Sequence, residues 1–589
     1  MVRAVGCRTI QAIATAVVFA SGVSTAVAQD ARPQVPRSAL PDIRVPQLPG
    51  PEAPEPPAIQ VPEGLPSAAP AEAEAIRFTL NDVAVEGATA YPPDHFSRFY
   101  QNLLGTEVSV ADMYRVADAI ERGYRADGYF LTRVIVPAQS IDHGVFRIQV
   151  VEGFIDGTRI EGDFGPSRSL VEGYLSQVVD RRPLTLADLE RALLLVNDIP
   201  GITAKGLLRP SKATPGAAEL VVSVDRKPFD GLLNVDNYGT RYTGFWEVAG
   251  TAAANSFTPF GENIAITGLL SDPSEGFHDA KNQWVGQINS TWRFGSQGFF
   301  SQALFSYGRS RPGFNIEQFD FESDTLLFTL AGGYPFIRTR DLTVTGRLGF
   351  DLIDSDTDVF GGDKFIRDRI RMLHLSGSAE FLDTWRGVNT VGAGIRQGID
   401  IFNATQKGEF YKSRDDASNQ VTILEASASR LQPLYDGFTV FSQPSAVDLF
   451  ASVAGQFAPD PVLAYEEFEV GSLQYGLGYD LGELSGDSGV GLLCELRFNQ
   501  RISNIPYLNS YQLFTFGNLG QVWNEGGGPD DYLASVGGGL RLFVADAISV
   551  EFIGAQPLHP GTERDASSND TPAQYGHSPQ FLFRTYARF

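Results

Sequence analysis

From residue 229 to the C terminus, hydrophobic and polar side chains alternate in short segments that turn-forming residues separate. Alternation with a period of two is typical of β-strands that have one apolar face. A strand that crosses a membrane at a tilt needs about 9–11 residues, and short turns and longer loops join such strands. The pattern predicts a β-rich membrane protein in which residues 229–589 form a 16-stranded antiparallel transmembrane β-barrel. The sixteen segments are centred near Leu233, Val248, Ile266, Ile288, Leu304, Phe328, Val344, Leu375, Val391, Ile423, Ala451, Leu493, Phe514, Gly538, Val550 and Phe583.

A different pattern precedes the barrel, because apolar residues at helical spacing occur there between short strands. Ser109 with Asp112 gives one helix-start signal, and Thr185 with Asp188 gives a second. Each signal is followed by an apolar stripe, which we interpret as a core face rather than a binding face. Residues 77–162 and 163–228 are therefore predicted to form two small α/β domains.

The N-terminal part of the chain has the pattern of an exported protein. Residues 1–28 have a charged start, an apolar core and a small-residue cleavage site, as a secretory signal peptide does. Residues 29–76 contain twelve prolines and are predicted to be an extended, semi-rigid spacer without helix. Removal of the signal peptide leaves Cys494 as the remaining cysteine, so we expect no intramolecular disulfide.

Charge and motifs exclude several classes of function. The formal net charge of −24 argues against a nucleic-acid partner, since phosphate binding needs clustered lysine and arginine. The sequence Gly486-Asp487-Ser488-Gly489 also occurs around the nucleophile of trypsin-like proteases. That chemistry needs a histidine base and an orienting carboxylate, whereas the six histidines are scattered in unrelated contexts. We predict no enzymatic activity, no cofactor and no metal.

Residues 468–497 form a glycine-rich connection that ends in an alternating strand, and a connection of this length is typical of a functional loop. The stretch contains, in this order, Phe468, Gly471, Gly478, Tyr479, Glu483, Leu484, Ser485, Gly486, Asp487, Ser488 and Gly489. These residues resemble the inward-folded loop of two-partner (type V) secretion transporters. That family, the TpsB or haemolysin secretion/activation proteins, consists of outer-membrane barrels with POTRA domains. The resemblance implies that the loop at 458–489 folds into the barrel.

Two positions depart from the family pattern. In the family, an arginine at the loop tip pairs with an aspartate on the barrel wall, and these positions are Leu477 and Asn518 here. Both partners are neutral, so neither leaves an unpaired charge inside the barrel. We expect the loop to dock through Tyr479, glycine backbone contacts and Asn518, with less charge anchoring. Drift in a tolerant transporter and loss of secretion are the alternatives.

The resemblance supplies two sets of candidate residues. The candidate gating and docking residues are Gly476, Leu477, Gly478, Tyr479, Asn518 and Gly520. The candidate loop motif is Glu483, Gly486, Asp487, Ser488 and Gly489.

Three further regions extend the resemblance. Residues 128–155 resemble a first POTRA domain, and residues 183–202 resemble a second. The alternating last strand ends at Phe589, which resembles the signal that the outer-membrane assembly machinery reads. The resemblance therefore implies two periplasmic POTRA domains and a barrel in the bacterial outer membrane.

The implied function is a translocation pore that binds an unfolded exoprotein through its POTRA domains and secretes it through the barrel. The expected partners are this exoprotein, outer-membrane lipid and the barrel assembly machinery, and the expected state is a monomer. The alternatives are an insertase of the same superfamily and a passive pore.

Overall fold

A computed structural model describes residues 35, 37–41, 59–60, 69–214, 216–272, 283–471, 475–525, 530–545, 547–559, 562–564, 570–572 and 578–589. The predicted signal peptide and most of the predicted spacer lie outside the described residues. Within the described ranges, no helix is both long and apolar enough to cross a membrane.

Two pieces of the proline-rich leader have defined positions. A single 3-10 turn, Arg37–Ala39, is buried inside the barrel, and a two-residue strand, β1 (Ile59–Gln60), adds to the sheet of an α/β domain. The prediction of an extended segment without helix is therefore wrong at Arg37–Ala39, whereas Ile59–Gln60 is extended. A 3-10 turn needs only three residues of helical backbone, so prolines on either side of it do not prevent it.

The first α/β domain packs one helix against a three-stranded sheet of order β3-β6-β5. The helix begins at the predicted capping box of Ser109 and Asp112, and its predicted apolar stripe is buried. The segment after Pro92 is a 3-10 helix, Pro93–Phe99. The elements are β2 (Arg77–Thr79), β3 (Asp82–Glu86), β4 (Glu107–Ser109), α1 (Val110–Ala126), β5 (Arg133–Ile135) and β6 (Val145–Val151).

The second α/β domain has a four-stranded sheet of order β1-β8-β9-β7. Its elements are β7 (Phe154–Gly162), α2 (Arg168–Leu175), α3 (Leu186–Asn197), β8 (Ile202–Pro210) and β9 (Ala217–Arg226). The predicted boundary at residue 162 is wrong, because β7 pairs with β9 and so belongs to the second sheet. Only Glu152 and Gly153 separate β6 from β7, which leaves no composition change to mark the division.

The sixteen predicted membrane strands are confirmed as one closed antiparallel barrel. Each of the sixteen predicted centres lies within a separate barrel strand. The strands from here to the C terminus are β10 (Phe229–Asp236), β11 (Glu247–Asn255), β12 (Asn263–Ser271), β13 (Gln283–Phe294), β14 (Phe299–Ser310), β15 (Glu322–Arg338), β16 (Leu342–Val359), β17 (Asp363–Leu382), β18 (Val388–Gly398), β19 (Thr422–Val440), β20 (Gln443–Phe457), β21 (Phe468–Val470), β22 (Leu484–Gly486), β23 (Ser488–Arg501), β24 (Leu508–Trp523), β25 (Asp531–Val544), β26 (Ile548–Pro557), β27 (Thr562–Arg564), β28 (Asp570–Pro572) and β29 (Gln580–Arg588). Of these, β21 with β22 and β27 with β28 are small hairpins outside the barrel wall.

The barrel closes where its last strand meets its first. Strand β29 pairs antiparallel with β10, from Leu232 opposite Arg588 to Asp236 opposite Arg584. Phe589 adds two backbone hydrogen bonds with Gly231, of 2.8 and 3.1 Å. The terminal residue is therefore part of the closing seam, while its role as an assembly signal stays a prediction.

The first α/β domain contains a partly buried hydrogen-bond network centred on Glu152. Its carboxylate accepts hydrogen bonds from the backbone N–H groups of Thr89 and Ala90, at 2.7 and 2.8 Å, and from the Tyr124 hydroxyl at 2.9 Å. Burial alone would raise the pKa of Glu152, but these hydrogen bonds outweigh it and place the pKa below its ordinary value. The network joins the loop after β3 to α1.

We expect Glu152→Gln to destabilise the first domain by about 2 kcal/mol, because an amide N–H₂ group then faces hydrogen-bond donors. Since the folded-state pKa is the lower one, the stabilisation by Glu152 is present above the unfolded-state pKa of about 4.3 and disappears as the pH falls through the folded-state value. Hydrogen exchange of the backbone amides of β3 and β6 in the intact chain measures the stability of the first domain. Glu86→Gln, at an exposed position of β3, is the control, and equal loss of protection in both variants would contradict the prediction.

Candidate gating site in the barrel lumen

The loop between β20 and β23 turns back into the barrel, as the sequence predicts. It spans residues 458–487, since β23 begins at Ser488, and it carries the hairpin of β21 and β22. The predicted end at Gly489 therefore lies two residues inside the wall strand. Buried loop residues pack against inward-facing residues of the wall, including Val470 of the loop and Val522 of β24.

Close approach of backbones explains two of the predicted glycines. Gly476 has a φ of +129°, and a Cβ there would lie 2.8 Å from the Cα of Gly471. At Gly520 on β24, a Cβ would lie 2.5 Å from the side chain of Val470. Gly478 lies against Ala555 of β26. Larger side chains at Gly478 or Gly520 would push the loop away from the wall, and one at Gly476 would separate it from Gly471 within the loop.

Leu477, at the position where the resemblance implies an arginine, occupies an apolar site. Its side chain is 3% exposed and packs with Phe514 and Phe516 of β24, Ile553 of β26 and Tyr238. The loop tip is therefore docked by hydrophobic contact rather than by charge.

Asn518 lies on the same inward face of β24, one inward position beyond Phe516. Its Oδ1 accepts a 2.6 Å hydrogen bond from Ser535 of the neighbouring strand. Its Nδ2 is buried and has no hydrogen-bond partner among the described residues. The expected docking of the loop by Asn518 is therefore not seen in the hydrogen bonds, whereas Tyr479 does dock the loop, since its hydroxyl donates to the carbonyl of Ala534 at 2.9 Å.

Charged residues other than Leu477 and Asn518 anchor the inward loop, while anchoring weaker than in the family stays a prediction. Arg241, in the loop after β10, lies 2.6 Å from Asp480 and 2.8 Å from Glu483 of the inward loop. Burial opposes the charge on Arg241, but the two carboxylates raise its pKa above the ordinary value. An ion pair therefore lies within a few residues of Leu477, with the acid on the loop and the base outside it.

A second arginine explains the loop motif at Asp487. This aspartate is fully buried, and its carboxylate pairs with the guanidinium of Arg414 from the loop after β18. The same carboxylate accepts 2.7 Å hydrogen bonds from the backbone N–H groups of Val462 and Glu525. Asp487 thus joins three loops, which is a structural role.

A third arginine, Arg396, lies on wall strand β18 and anchors the start of the inward loop. It lies 2.5 Å from Glu466 and 3.7 Å from Asp351 of β16. His374 of β17 completes the group, with Nδ1 3.0 Å from the Asp351 carboxylate. Arg396, Asp351 and His374 line a cavity of about 370 Å³ in the lumen, beside the Tyr465 side chain.

Part of the leader, from Arg37 to Pro41, also lies in the outer end of the lumen. Arg37 lies 2.6 Å from Glu469 of the inward loop and stacks over the Tyr465 ring at 4.2 Å. The Tyr465 hydroxyl donates to the carbonyl of Pro41 at 3.1 Å, and Ser310 of β14 donates to that of Ala39 at 2.9 Å. The leader, the loop and the wall therefore form one packed cluster.

Sequence reasoning located the loop but missed the arginines that hold it. The signal was present, because a loop predicted to enter a barrel carries Asp480, Glu483 and Asp487, and buried carboxylates need cationic partners. Which arginines pair with these carboxylates depends on contacts between residues far apart in sequence. The predicted Ser488 hydrogen-bonds the backbone of Ala458 and so fixes the start of the loop.

A closed 16-stranded barrel, filled by its own loop and preceded by small α/β domains, defines the class of POTRA-carrying outer-membrane transporters. Residues 216–542, more than half of the chain, match the family described as haemolysin secretion/activation protein ShlB/FhaC/HecB, and residues 78–153 match the POTRA domain of ShlB type. The chain belongs to this family of two-partner secretion transporters. It is an outer-membrane protein whose POTRA region lies in the periplasm.

Relatives support the assignment over most of the chain. The heme/hemopexin transporter protein HuxB of Haemophilus influenzae is 24% identical over 511 residues, covering 82% of this chain and 84% of HuxB. The outer membrane transporter CdiB of Escherichia coli O6:K15:H31 is 23% identical over 458 residues, covering 74% of this chain and 71% of CdiB. The solved structure of CdiB from Escherichia coli has the same fold, with a TM-score of 0.70 and 18% identity over 89% of this chain and 92% of that chain.

We expect Leu477→Arg to destabilise the barrel by about 3–5 kcal/mol, because it buries a charge in an apolar site. Adding Asn518→Asp is expected to recover part of this loss by restoring the family's ion pair. Thermal unfolding, followed by the shift in gel mobility of the folded barrel, measures both effects. Leu477→Met conserves volume and serves as the control. A double variant no more stable than Leu477→Arg would contradict the pairing.

We expect Arg241→Gln to loosen the inward loop, because it removes the cation that lies between Asp480 and Glu483. Single-channel recordings in planar bilayers should then show more frequent open events than the parent protein does. Arg386→Gln is the matched control, since its ion pair with Asp436 lies at a periplasmic turn far from the lumen. Equal opening in both variants would show that Arg241 does not anchor the loop.

Proposed function

We propose that this protein is a translocation pore that secretes an unfolded exoprotein across the outer membrane. The observation that carries the proposal is the kind of closure in the lumen. Two segments of the chain, the inward loop and the leader residues Val35 and Arg37 to Pro41, pack against each other and against the wall inside the barrel. Neither is a wall strand, so both can move without opening the barrel wall.

The contacts of these segments suit a closure that must be reversible. Charged pairs such as Arg37 with Glu469 and Arg396 with Glu466 are stable while the lumen is packed. When a chain enters and water follows it, the separated charges are hydrated at little cost, unlike a buried pair broken in a dry interior. Leu477 and its apolar neighbours then limit how far the loop tip moves, since their separation exposes hydrophobic surface.

The second α/β domain is proposed to be a second POTRA domain that receives the exoprotein. Its strand β8 accepts another strand at its free edge, because β1 of the leader pairs there in parallel, with Gln60 opposite Leu207. An extended segment of the exoprotein could form the same backbone hydrogen bonds in place of β1. Recognition by sheet addition asks little of the cargo sequence, which suits an unfolded substrate.

The second domain also lies at the mouth of the barrel. Asp198, at the end of α3, pairs with Arg338 of β15 at 2.8 Å, and Arg191 donates to the carbonyl of Pro335 at 3.1 Å. A chain bound to this domain is therefore held next to the entrance. Transport through the barrel and folding outside would follow, and folding supplies the driving force without a nucleotide.

The test is a comparison of the proteins in the medium and on the cell surface with and without this gene, by mass spectrometry. We expect one large exoprotein to disappear from the outside when the gene is deleted. A parallel fall of many outer-membrane proteins would instead indicate an insertase. An unchanged secretome with reduced uptake of small solutes would indicate a passive pore.

A crosslink tests the docking edge in the same strain. Gln60→Cys with Leu207→Cys, in a Cys494→Ala background, is expected to lock β1 on β8 and to stop secretion under oxidising conditions. Reductant should restore secretion, which excludes a folding defect. The control is Gln60→Cys alone, and full secretion by the oxidised double variant would contradict the proposed edge.

A further inference from the structure

On the outer face of four adjacent wall strands, β14 to β17, the outward side chains change from apolar to charged toward the outer end of the barrel. On β15, the outward positions from Phe336 to Leu326 are apolar, aromatic or glycine, and on β16 those from Leu342 to Leu352 are apolar or glycine. Such a run is what a tilted strand needs to cross the hydrocarbon layer, about 9–11 residues. The outward positions that follow toward the outer end are all charged.

These charged positions form four columns, one on each strand. The two inner columns are acidic: Glu322 and Asp324 on β15, and Asp354, Asp356 and Asp358 on β16. The two flanking columns are basic: Arg309 on β14 with Arg311 just beyond it, and Arg367, Arg369 and Arg371 on β17. We call these ten residues the outer charge belt.

The belt is internally paired but lies at the surface. Arg309 lies 2.7 Å from Asp324, and Arg369 lies 2.8 Å from Asp356. Because most of these side chains remain partly exposed, each pair contributes little to stability. The two acidic columns also face each other, with Asp324 directly opposite Asp356 and Glu322 opposite Asp358. Like charges in opposite positions of a sheet are unfavourable, and the flanking arginines offset this repulsion in the protein alone.

We propose that the outer charge belt binds the phosphorylated headgroup of an outer-leaflet glycolipid together with its bound divalent cations. The belt begins at the first outward positions beyond the apolar surface, which is the height of the headgroups. Guanidinium groups bind phosphate oxygens in a bidentate manner, and carboxylates are the preferred protein ligands of Ca²⁺ and Mg²⁺. A headgroup layer of phosphates bridged by cations carries both signs of charge. Its cations match the acidic columns, and its phosphates match the basic columns on either side.

The proposal depends on the outer-membrane location and not on secretion. Its strongest contacts are expected at Arg309, Arg367 and Arg369, whose guanidinium groups are partly exposed at the edges of the belt. Arg371 is buried and pairs with Asp354 at 2.7 Å, so it is expected to support the belt rather than to touch lipid.

The test measures retention of lipid A on the full-length purified protein by native mass spectrometry, with Mg²⁺ present. Arg309→Gln with Arg367→Gln and Arg369→Gln is expected to weaken binding of bis-phosphorylated lipid A about tenfold, which corresponds to about 1.4 kcal/mol. Lipid A without phosphates should bind the parent protein as weakly as the bis-phosphorylated form binds the variant. Inorganic phosphate should not compete at millimolar concentration, because the acyl chains hold the headgroup at the belt.

The matched control removes three arginines at the periplasmic end: Arg340→Gln with Arg386→Gln and Arg501→Gln. Equal loss of lipid in both triple variants would overturn the proposal in favour of general electrostatic attraction. A loss of thermal stability in the outer variant with unchanged lipid retention would show an ion-pair network only. Replacement of the same three outer arginines by lysine keeps the charge and the fold, and should give intermediate retention if bidentate contacts matter.

Discussion

The whole structure depends on the need to pair backbone hydrogen-bonding groups where no water is available. Inside a bilayer, an unpaired N–H or C=O group costs several kcal/mol, so a sheet in lipid must close on itself. Closure of sixteen strands leaves a lumen too wide for wall side chains to fill. The chain fills it with the loop before β23 and with part of its own leader, so that the same constraint that makes the wall continuous also creates a separate, movable interior.

The interior is held by charges that cross between elements, whereas the wall is held by its ladder of hydrogen bonds. Arg37, Arg241, Arg396 and Arg414 come from the leader, two outer loops and one wall strand, and all four pair with acids of the inward loop. At the loop tip, by contrast, Leu477 packs into an apolar site. The loop is thus fixed by charge along its length and by hydrophobic contact at its tip. The two neutral positions, Leu477 and Asn518, are therefore not part of the ion pairs that anchor the loop.

The features predicted from the sequence are those with a local signal. Sixteen strands could be found because lipid imposes a period of two on each, and the helix starts at Ser109 and Thr185 because a capping box lies within four residues. The pairing of Arg241 with Asp480 could not be predicted from the sequence, since the two residues lie in separate loops far apart in sequence. The place of the leader was missed for a related reason: Arg37–Ala39 forms a single turn, too short for periodicity to register. The boundary at β7 was misplaced because the strand's partner, β9, lies beyond two intervening helices.

The leader is held at two places, inside the outer lumen and on the edge of β8 in the periplasm. Because one chain joins the two holds, each keeps the other segment at a raised local concentration near its binding site. A cargo strand that competes with β1 therefore competes with a tethered ligand and must itself be abundant or bind tightly. Release of the Arg37 to Pro41 segment from the lumen would loosen that tether and lower the effective concentration of β1 at β8. By reciprocity, a cargo that takes the β8 edge makes the lumen segment easier to release, so the entrance and the exit of the barrel are thermodynamically linked through a few residues of leader.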